Sequence, residues 1–431
     1  MKPSPNLDPA AVAAMVTELG RSEVEHSPTE LVELIGQLEL LKNSAAALQA
    51  RASVALRWHR EAEAEVHGHN ARRVPASVAG EVALARRESP HHATRLVGLA
   101  MMLARELPHT MRLFRAGLVS EWRAGLVACE TACLSREHRA MVDEQLAGRL
   151  AELSDRQVAS EARRVGCRLD PHSIVERIGQ AEADRRVSLR PAPDCMARLS
   201  GLLPVAQGVA VLAALGVEAD TARAAGDARS RGQVMADTLV ARATGLTAAD
   251  EVGVEVQLVM TDSALLGGSH EPARLAGYGP LPAGVARRIA AAASGRGRAW
   301  LRRLYNRPGT GELVAMESRR RIFPAGLKAF IATRDEVCRT PWCGAPIRHT
   351  DHVVPAHAGG TTTAHNGQGL CEQCNQLKEH PGWRARPGPG GSVALRSPSG
   401  HEYASMPPPL PHEPIDRPYA LPFPVEIMIA A

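Results

Sequence analysis

Four cysteines carry the clearest chemical signal in the 431-residue chain: Cys338 and Cys343, with four residues between them, and Cys371 and Cys374, with two. The four fall within 37 residues. Each pair can chelate from one tight turn, so in a reducing compartment the pattern points to a tetrahedral Zn²⁺ held by four soft thiolates. Pro341 and Gly344 supply turn chemistry at the first pair. Between the pairs lie Asp351-His352-Val353-Val354-Pro355, His357, Gly359-Gly360 and Asn366; Asn375, Lys378 and His380 follow. Asp351 can hold a divalent cation through oxygen. His352, directed to the other side of a strand, can take a proton from water instead. Asn375, at the start of a helix directly after Cys374, offers a second hard oxygen suited to Mg²⁺ or Mn²⁺. Lys378 is one turn further on the same face and, with Arg348, is a candidate phosphate contact. The remaining cysteines, Cys129, Cys133, Cys167 and Cys195, read as small apolar core positions. His67 and His69 read as part of an exposed loop spanning His59–Asn70 rather than as metal ligands.

The elements around this segment are mostly helical. Leu31, Val32, Leu34, Ile35, Leu38 and Leu41 recur at helical spacing, with Thr29 as the expected cap and Glu30 near the positive end. Ser89-Pro90 reads as a cap followed by proline in the first turn, and Ser154 with Gln157 as a capping box. The period changes at Arg186–Arg190 and at Val252–Met260, both of which alternate and read as strands. Gly277-Tyr278-Gly279-Pro280 marks a turn before an alanine-rich helix. Beyond Trp383, Pro387–Gly391 and Met406–Pro424 are rich in proline or glycine and read as an extended tail. The expected organisation is an N-terminal helical segment (1–75), a helical domain with a small strand element (76–330), a zinc-stapled finger (331–385) and a Pro/Gly-rich disordered tail (386–431).

Aromatic residues make up 3% of the chain, so its cores must be built from Ala, Leu and Val, which favours closely packed helices. At 45% hydrophobic and 23% charged, the composition is that of a globular protein. Apolar runs fall short of the 18–20 residues or so that cross a bilayer, and no secretory leader pattern stands at Met1–Gly20, so the expectation is a cytoplasmic protein without a membrane partner. The net charge of +5 is unevenly spread: Arg287–Arg348 holds 14 basic against 4 acidic residues, a local excess of +10. Such a block favours an anionic partner, nucleic acid first.

The string C-x4-C…D-H-V-V-P…G-G…N…L-C-x2-C-N-x2-K resembles the HNH endonuclease family, whose core is a ββα-metal finger. The wider layout resembles a bacterial group of HNH proteins of the 13E12-repeat type, which carry a helical N-terminal domain of unknown function. That second likeness rests on Glu106-Leu107-Pro108 with Arg115-Ala116-Gly117, on Arg185–Leu189, and on Leu265-Leu266-Gly267 with Gly277–Pro280. The resemblance implies a DNA endonuclease in which Asp351 and Asn375 hold the catalytic ion, His352 activates water, and Asn366 orients the loop and His352. Many relatives have His where this chain has Asn375, which raises the question of whether His380 assists at the metal. His357 and His365 have no motif role. Structural zinc on the four cysteines, Mg²⁺ or Mn²⁺ at the catalytic site, DNA as partner and a homodimer for double-strand cutting complete the expectation. The competing reading is a zinc-containing nucleic-acid-binding protein without turnover.

Overall fold

Short polar residues and prolines set the helix starts. Asp8 accepts from the Ala11 amide ahead of a helix that opens on Pro9. Ser120 and Ser135 cap in the same way, and Ser154 forms the expected box with Gln157. A side-chain oxygen satisfying an orphan first-turn amide is the shared physical reason. The computed structural model describes residues 7–245, 258–294, 317–318 and 323–411.

The chain begins with α1 (Pro9–Arg21), α2 (Pro28–Val66), α3 (Val74–Arg86), α4 (Pro90–Arg105) and α5 (Pro108–Arg115). Then come α6 (Glu121–Thr131), α7 (Arg136–Leu146), α8 (Asp155–Leu169) and α9 (Pro171–Ala183). A hairpin of β1 (Arg186–Ala192) and β2 (Met196–Leu202) precedes α10 (Val205–Ala224) and α11 (Arg231–Thr244). Next are β3 (Leu258–Val259), α12 (Asp262–Leu266), β4 (Ala273–Leu275), β5 (Gly279–Leu281) and α13 (Ala283–Ser294). The C-terminal part holds β6 (Glu317–Ser318), α14 (Ala325–Asp335), β7 (His349–His352), β8 (Thr362–Thr363), β9 (Gly367–Leu370) and α15 (Glu372–Leu377). It closes with β10 (Arg384–Pro387), β11 (Val393–Arg396) and β12 (Glu402–Ser405).

Two compact units divide these elements: residues 1–58 with 96–174, and residues 59–95 with 175–431. The first is helical. Leu103, Leu107, Phe114, Val127, Val142, Leu150 and Val158 form its core, with Ala47, Ala50 and Ala124 allowing close approach. Asp143, fully buried, accepts from the His109 and Thr110 amides at 2.7 and 2.9 Å and from the Thr110 hydroxyl, and so caps α5 from a distance in sequence.

The second unit contains the cysteine-rich finger. Within it, α3 packs against that finger: Leu84 shares a buried cluster with Leu377, Trp383 and Leu395, and Trp383 Nε1 donates to Ser77 Oγ at 2.9 Å. Buried Glu81 accepts two bonds from Arg60, at 3.0 and 2.9 Å, and also the Ser399 amide and hydroxyl. Small antiparallel sheets complete the unit: β3-β4-β5, β6-β8, β7-β9 and β10-β11-β12.

Several sequence expectations change. The start of α2 is capped by Ser27 with Glu30, not by Thr29, because Glu30 reaches back to the Ser27 amide at 2.9 Å. Alanine, glutamate and arginine carry that helix through to Val66, so His59–Val66 is helix and only His67–Asn70 is a loop. The strand expected at Val252–Met260 is seen at Leu258–Val259; Val252–Gln257 lie outside the described residues. The expected tail from 386 is ordered through Pro411, since β10-β11-β12 pair in register and bury Val393 and Leu395; residues 412–431 lie outside the described residues. Cys129, Cys167 and Cys195 are exposed, so they do not fill a core, whereas Cys133 is half-buried and packs against the helical core. By length and composition α10 would suffice to cross a membrane, although Glu218, Asp220 and Arg223 stand in its last turns.

Candidate metal centre

The finger is built around a return of the chain that a side chain would strain at Gly359 and obstruct at Gly360. Gly359 has φ +88°, and a Cβ on Gly360 would strike the Val354 carbonyl. The return lets β9 pair antiparallel with β7, placing Asp351 opposite Gln368 and His352 opposite Gly367. Asn366 locks the loop. Its Oδ1 accepts from the Val354 amide at 2.8 Å, and its Nδ2 donates to the carbonyls of Val354 and Thr361 at 3.0 and 2.9 Å.

A buried charged pair fastens the preceding helix to this hairpin. Arg334 and Asp335, at the end of α14, are joined by two hydrogen bonds of 2.6 and 3.0 Å. Asp335 Oδ2 accepts from the Gly369 amide at 2.7 Å, while Arg334 donates to the carbonyls of Ala364 and Gly367. A pair taken out of water in this way holds only if its remaining hydrogen-bonding capacity is used, as it is here.

The four predicted cysteines converge, their sulfurs all within 4.8 Å of one another. Cys343 Sγ stands 3.8 Å from Cys371 Sγ and 3.7 Å from Cys374 Sγ. Four sulfurs each about 2.3 Å from one shared Zn²⁺ would be roughly 3.8 Å apart. The donor set therefore fits structural zinc in both type and spacing. Crowding splits the thiol acidities: hydrogen bonding from Cys343 lowers Cys338 to about 7, and Cys338 and its neighbours lower Cys371, whereas Cys343 and Cys374 are pushed up. A dication would relieve that conflict by allowing all four to ionise.

Beside this cluster, α15 begins at Cys371, whose sulfur caps the Cys374 amide at 3.4 Å. The helix carries Asn375. Its Oδ1 is buried, and no hydrogen-bond partner exists for it among the described residues. A buried amide oxygen without a donor is unfavourable by about 1–3 kcal/mol, so it calls for a cation or another donor that the described residues do not provide. Asp351 is half-buried on β7, its Oδ2 2.5 Å from Lys378 Nζ. An acid and an amide oxygen together form a donor set of the kind hard Mg²⁺ or Mn²⁺ ions take.

His352 is 7% exposed. Its ring lies against Phe323, with centroids 4.6 Å apart. Nε2 is 2.9 Å from Thr362 Oγ1, and Nδ1 is 3.9 Å from Asp351 Oδ1. The ring thus bonds to Thr362, while Asn366 serves the loop around it. Thr362 escaped the sequence reading; it stands two residues past the glycine pair, at the start of a short strand, in a run of three threonines that does not distinguish which one turns inward.

Other expected residues fall differently. The Lys378 side chain is 8% exposed, and its three donors meet Asp351, the His352 carbonyl at 2.9 Å and Glu379 at 3.1 Å, so it secures the site from within instead of facing a phosphate. Arg348 is exposed. His380 Nδ1 is buried without a hydrogen-bond partner among the described residues, and burial followed by the charge of Arg73 lowers its pKa. His357 and His365 are exposed, as surface residues would be. Of the basic block, Arg334 and Arg339 are interior; Arg296, Arg298, Arg302, Arg303, Arg307 and Arg319–Arg321 lie outside the described residues.

With this geometry in hand, residues 36–335 match the family described as a domain of unknown function (DUF222), and residues 338–380 match that described as HNH endonuclease. No curated protein and no solved structure matches the chain.

Proposed function

The chain belongs to the DUF222 family and carries an HNH endonuclease domain, and from that premise we propose that it hydrolyses DNA phosphodiester bonds by a metal-dependent route. The HNH domain supports a metal-dependent, nuclease-type function in general. The observation that carries the finer reading is the buried Asn375 Oδ1, without a hydrogen-bond partner among the described residues, on the helix next to the Asp351 strand. Those two residues would hold Mg²⁺ or Mn²⁺. Such an ion, when bound, supplies charge stabilisation for the attacked phosphoryl group and for the departing 3′ oxygen.

The protein's own groups do the rest. His352 takes the proton of the attacking water as the water approaches phosphorus in line with the leaving oxygen. An imidazole whose ordinary pKa is near 6.5 is matched to that task around neutral pH. Phe323 on one side of the ring and Thr362 at its edge limit its motion. Asn366 keeps the connecting loop closed through its three backbone bonds. Cys338, Cys343, Cys371 and Cys374 would hold Zn²⁺, which would tie the first cysteine pair to the start of α15 and so fix Asn375 relative to β7. Arg348 and the arginines of the basic block other than the interior Arg334 and Arg339 meet the DNA backbone, and strand cleavage leaves 5′-phosphate and 3′-hydroxyl ends. The setting is cytoplasmic, and a double-strand cut by one finger per chain would use two copies.

The test is nicking of supercoiled plasmid in Mg²⁺ or Mn²⁺ by the wild type and by His352→Ala, with DNA binding measured in parallel. Cleavage by the wild type, lost in the variant while binding persists, supports the reading. Salt-dependent binding with no cleavage by either protein in any metal would replace it with a non-catalytic DNA-binding role.

A further inference from the structure

The first cysteine pair encloses a turn with an unusual occupant. The Cys343 amide donates to the Thr340 carbonyl at 3.1 Å, so Pro341 and Trp342 are its two central residues. Trp342 has φ +58°, a left-handed conformation that glycine adopts freely and a bulky side chain adopts at a cost. Its side chain is 47% exposed, so burial does not offset that cost. Strain of this kind collects at ligand sites. Two side chains hold the indole. The Tyr403 ring stands nearly perpendicular to it, at 82°, with centroids 5.9 Å apart. Arg87, exposed at the end of α3, places its guanidinium 6.0 Å from the ring centre. Among the described residues no carboxylate pairs with Arg87; the adjacent Glu88 is bonded to His92 at 2.9 Å. Beside the indole is a cavity of about 310 Å³, lined by Thr340, Ser405, Met406, Pro408 and Arg339 as well as Trp342. Arg339 is 3% exposed. Its Nη2 donates to the Gly391 and Ser405 carbonyls at 3.0 and 2.7 Å, but its Nε and Nη1 are buried without a hydrogen-bond partner among the described residues. Asp335 Oδ1 is 3.8 Å from that Nε and is already bonded to Arg334. A ligand suited to these walls brings a flat apolar body for Trp342, hydrogen-bond acceptors for Arg339 and negative charge for Arg87. An unpaired nucleotide combines all three.

We propose that the turn between Cys338 and Cys343 binds one unpaired nucleotide of a DNA single strand. The base enters the cavity and stacks on Trp342, its acceptor edge faces Arg339, and the adjoining phosphate meets Arg87. A base stacked and paired within a duplex has no free face for the indole, so the cavity selects single-stranded or locally opened DNA. The proposal rests on the reading of DNA as the partner. It places a strand contact outside the Asp351 and Asn375 centre, and that contact is measured by binding, without any turnover.

The experiment is fluorescence anisotropy on full-length, zinc-loaded protein without added Mg²⁺ or Mn²⁺. The probes are a labelled single-stranded oligonucleotide of mixed sequence and the duplex of the same sequence. Trp342→Gly suits the left-handed turn and removes the indole, so it separates binding from folding; zinc content and circular dichroism check the fold. If that variant has not folded, Trp342→Leu takes its place. Single-strand affinity should fall at least about fivefold in Trp342→Gly, the loss of one stacked base, and should largely persist in Trp342→Phe. Duplex affinity should stay within about twofold, since the indole has no paired base to stack on. Arg87→Gln should weaken single-strand binding and reduce the slope of log affinity against log salt by about 0.7, one phosphate contact. Unchanged single-strand affinity in Trp342→Gly, or equal losses on both probes, would overturn the proposal. A wild type that binds single strands in this Trp342-dependent way but does not nick plasmid would support the site and contradict the nuclease reading. Nicking by a wild type whose single-strand affinity is indifferent to Trp342 would do the reverse.

Discussion

Lys378 Nζ lies 2.5 Å from Asp351 Oδ2 and 2.9 Å from the carbonyl of His352, so a single ammonium ties the end of α15 to the two neighbouring residues on which the proposed chemistry depends. Its side chain is 8% exposed. The pair therefore positions the acid and braces the strand beneath the imidazole, and the surrounding protein shields it from the screening that weakens surface ion pairs.

Removing that ammonium should loosen the finger. Lys378→Met leaves Asp351 and the His352 carbonyl without their donor, and a loss on the order of 1–3 kcal/mol is expected. Urea denaturation of the zinc-loaded protein should show a lower midpoint with an unchanged slope. A midpoint equal to wild type would mean that the contact contributes nothing to stability.

Zinc should be stoichiometric and structural. Elemental analysis is expected to give one zinc per chain, falling below a tenth of that in Cys374→Ser. Structural zinc sites bind with apparent free energies of about 10–16 kcal/mol in isolated fingers, more than a small finger has to spare. Chelation should thus unfold this part of the chain and open it to protease, while the helical core around Phe114 and Leu150 stays protected. Full protease resistance of the finger after zinc removal would contradict the assignment.

Asn366→Ala deletes three hydrogen bonds at once and strands the half-buried Val354 amide and the carbonyls of Val354 and Thr361. The expected destabilisation is about 2–4 kcal/mol, seen as a lower thermal midpoint. Asn366→Asp keeps the acceptor for the Val354 amide but loses both donors, so its midpoint should fall at least as far once the charge of the buried carboxylate is included.

The finger should be acid-sensitive through His380. Burial first, and then Arg73, place its folded pKa below the ordinary 6.5. The unfolded chain therefore binds the proton more readily. The stabilisation from a neutral His380 is complete above about pH 6.5 and is lost as pH falls through the folded value. Between pH 7 and 5 the stability of the wild type should drop more steeply than that of His380→Gln. Parallel slopes would rule out this contribution.

The cysteine framework, the Asp351-His352 strand, the glycine-assisted return and the following helix could be read from the sequence because each depends on local spacing. Two pairs of thiols, one acid beside one imidazole, and two glycines leave few ways for the chain to run. What escaped depends on long-range contacts. Arg334 and Arg339 look like members of a basic face in sequence, yet one meets Asp335 and two carbonyls of the returning loop, and the other donates to the carbonyls of Gly391 and Ser405. Proline and glycine beyond 386 suggest a tail, but Val393 and Leu395 are buried, and Leu395 joins a cluster completed by Leu84, some 300 positions earlier. His59–Val66 is polar enough to resemble a loop, and it is helix because its residues are good helix formers continuing an existing helix.

The central claim is that Asp351 and Asn375 share one hard divalent ion, and Mn²⁺ binding followed by electron paramagnetic resonance on zinc-loaded protein tests it directly. One Mn²⁺ site is expected in the wild type, with affinity falling at least tenfold in Asn375→Ala and in Asp351→Ala, and retained in Asn375→Asp, which keeps an oxygen ligand at the same place. Mn²⁺ binding that is absent from the wild type, or that is the same in all four proteins, would contradict it.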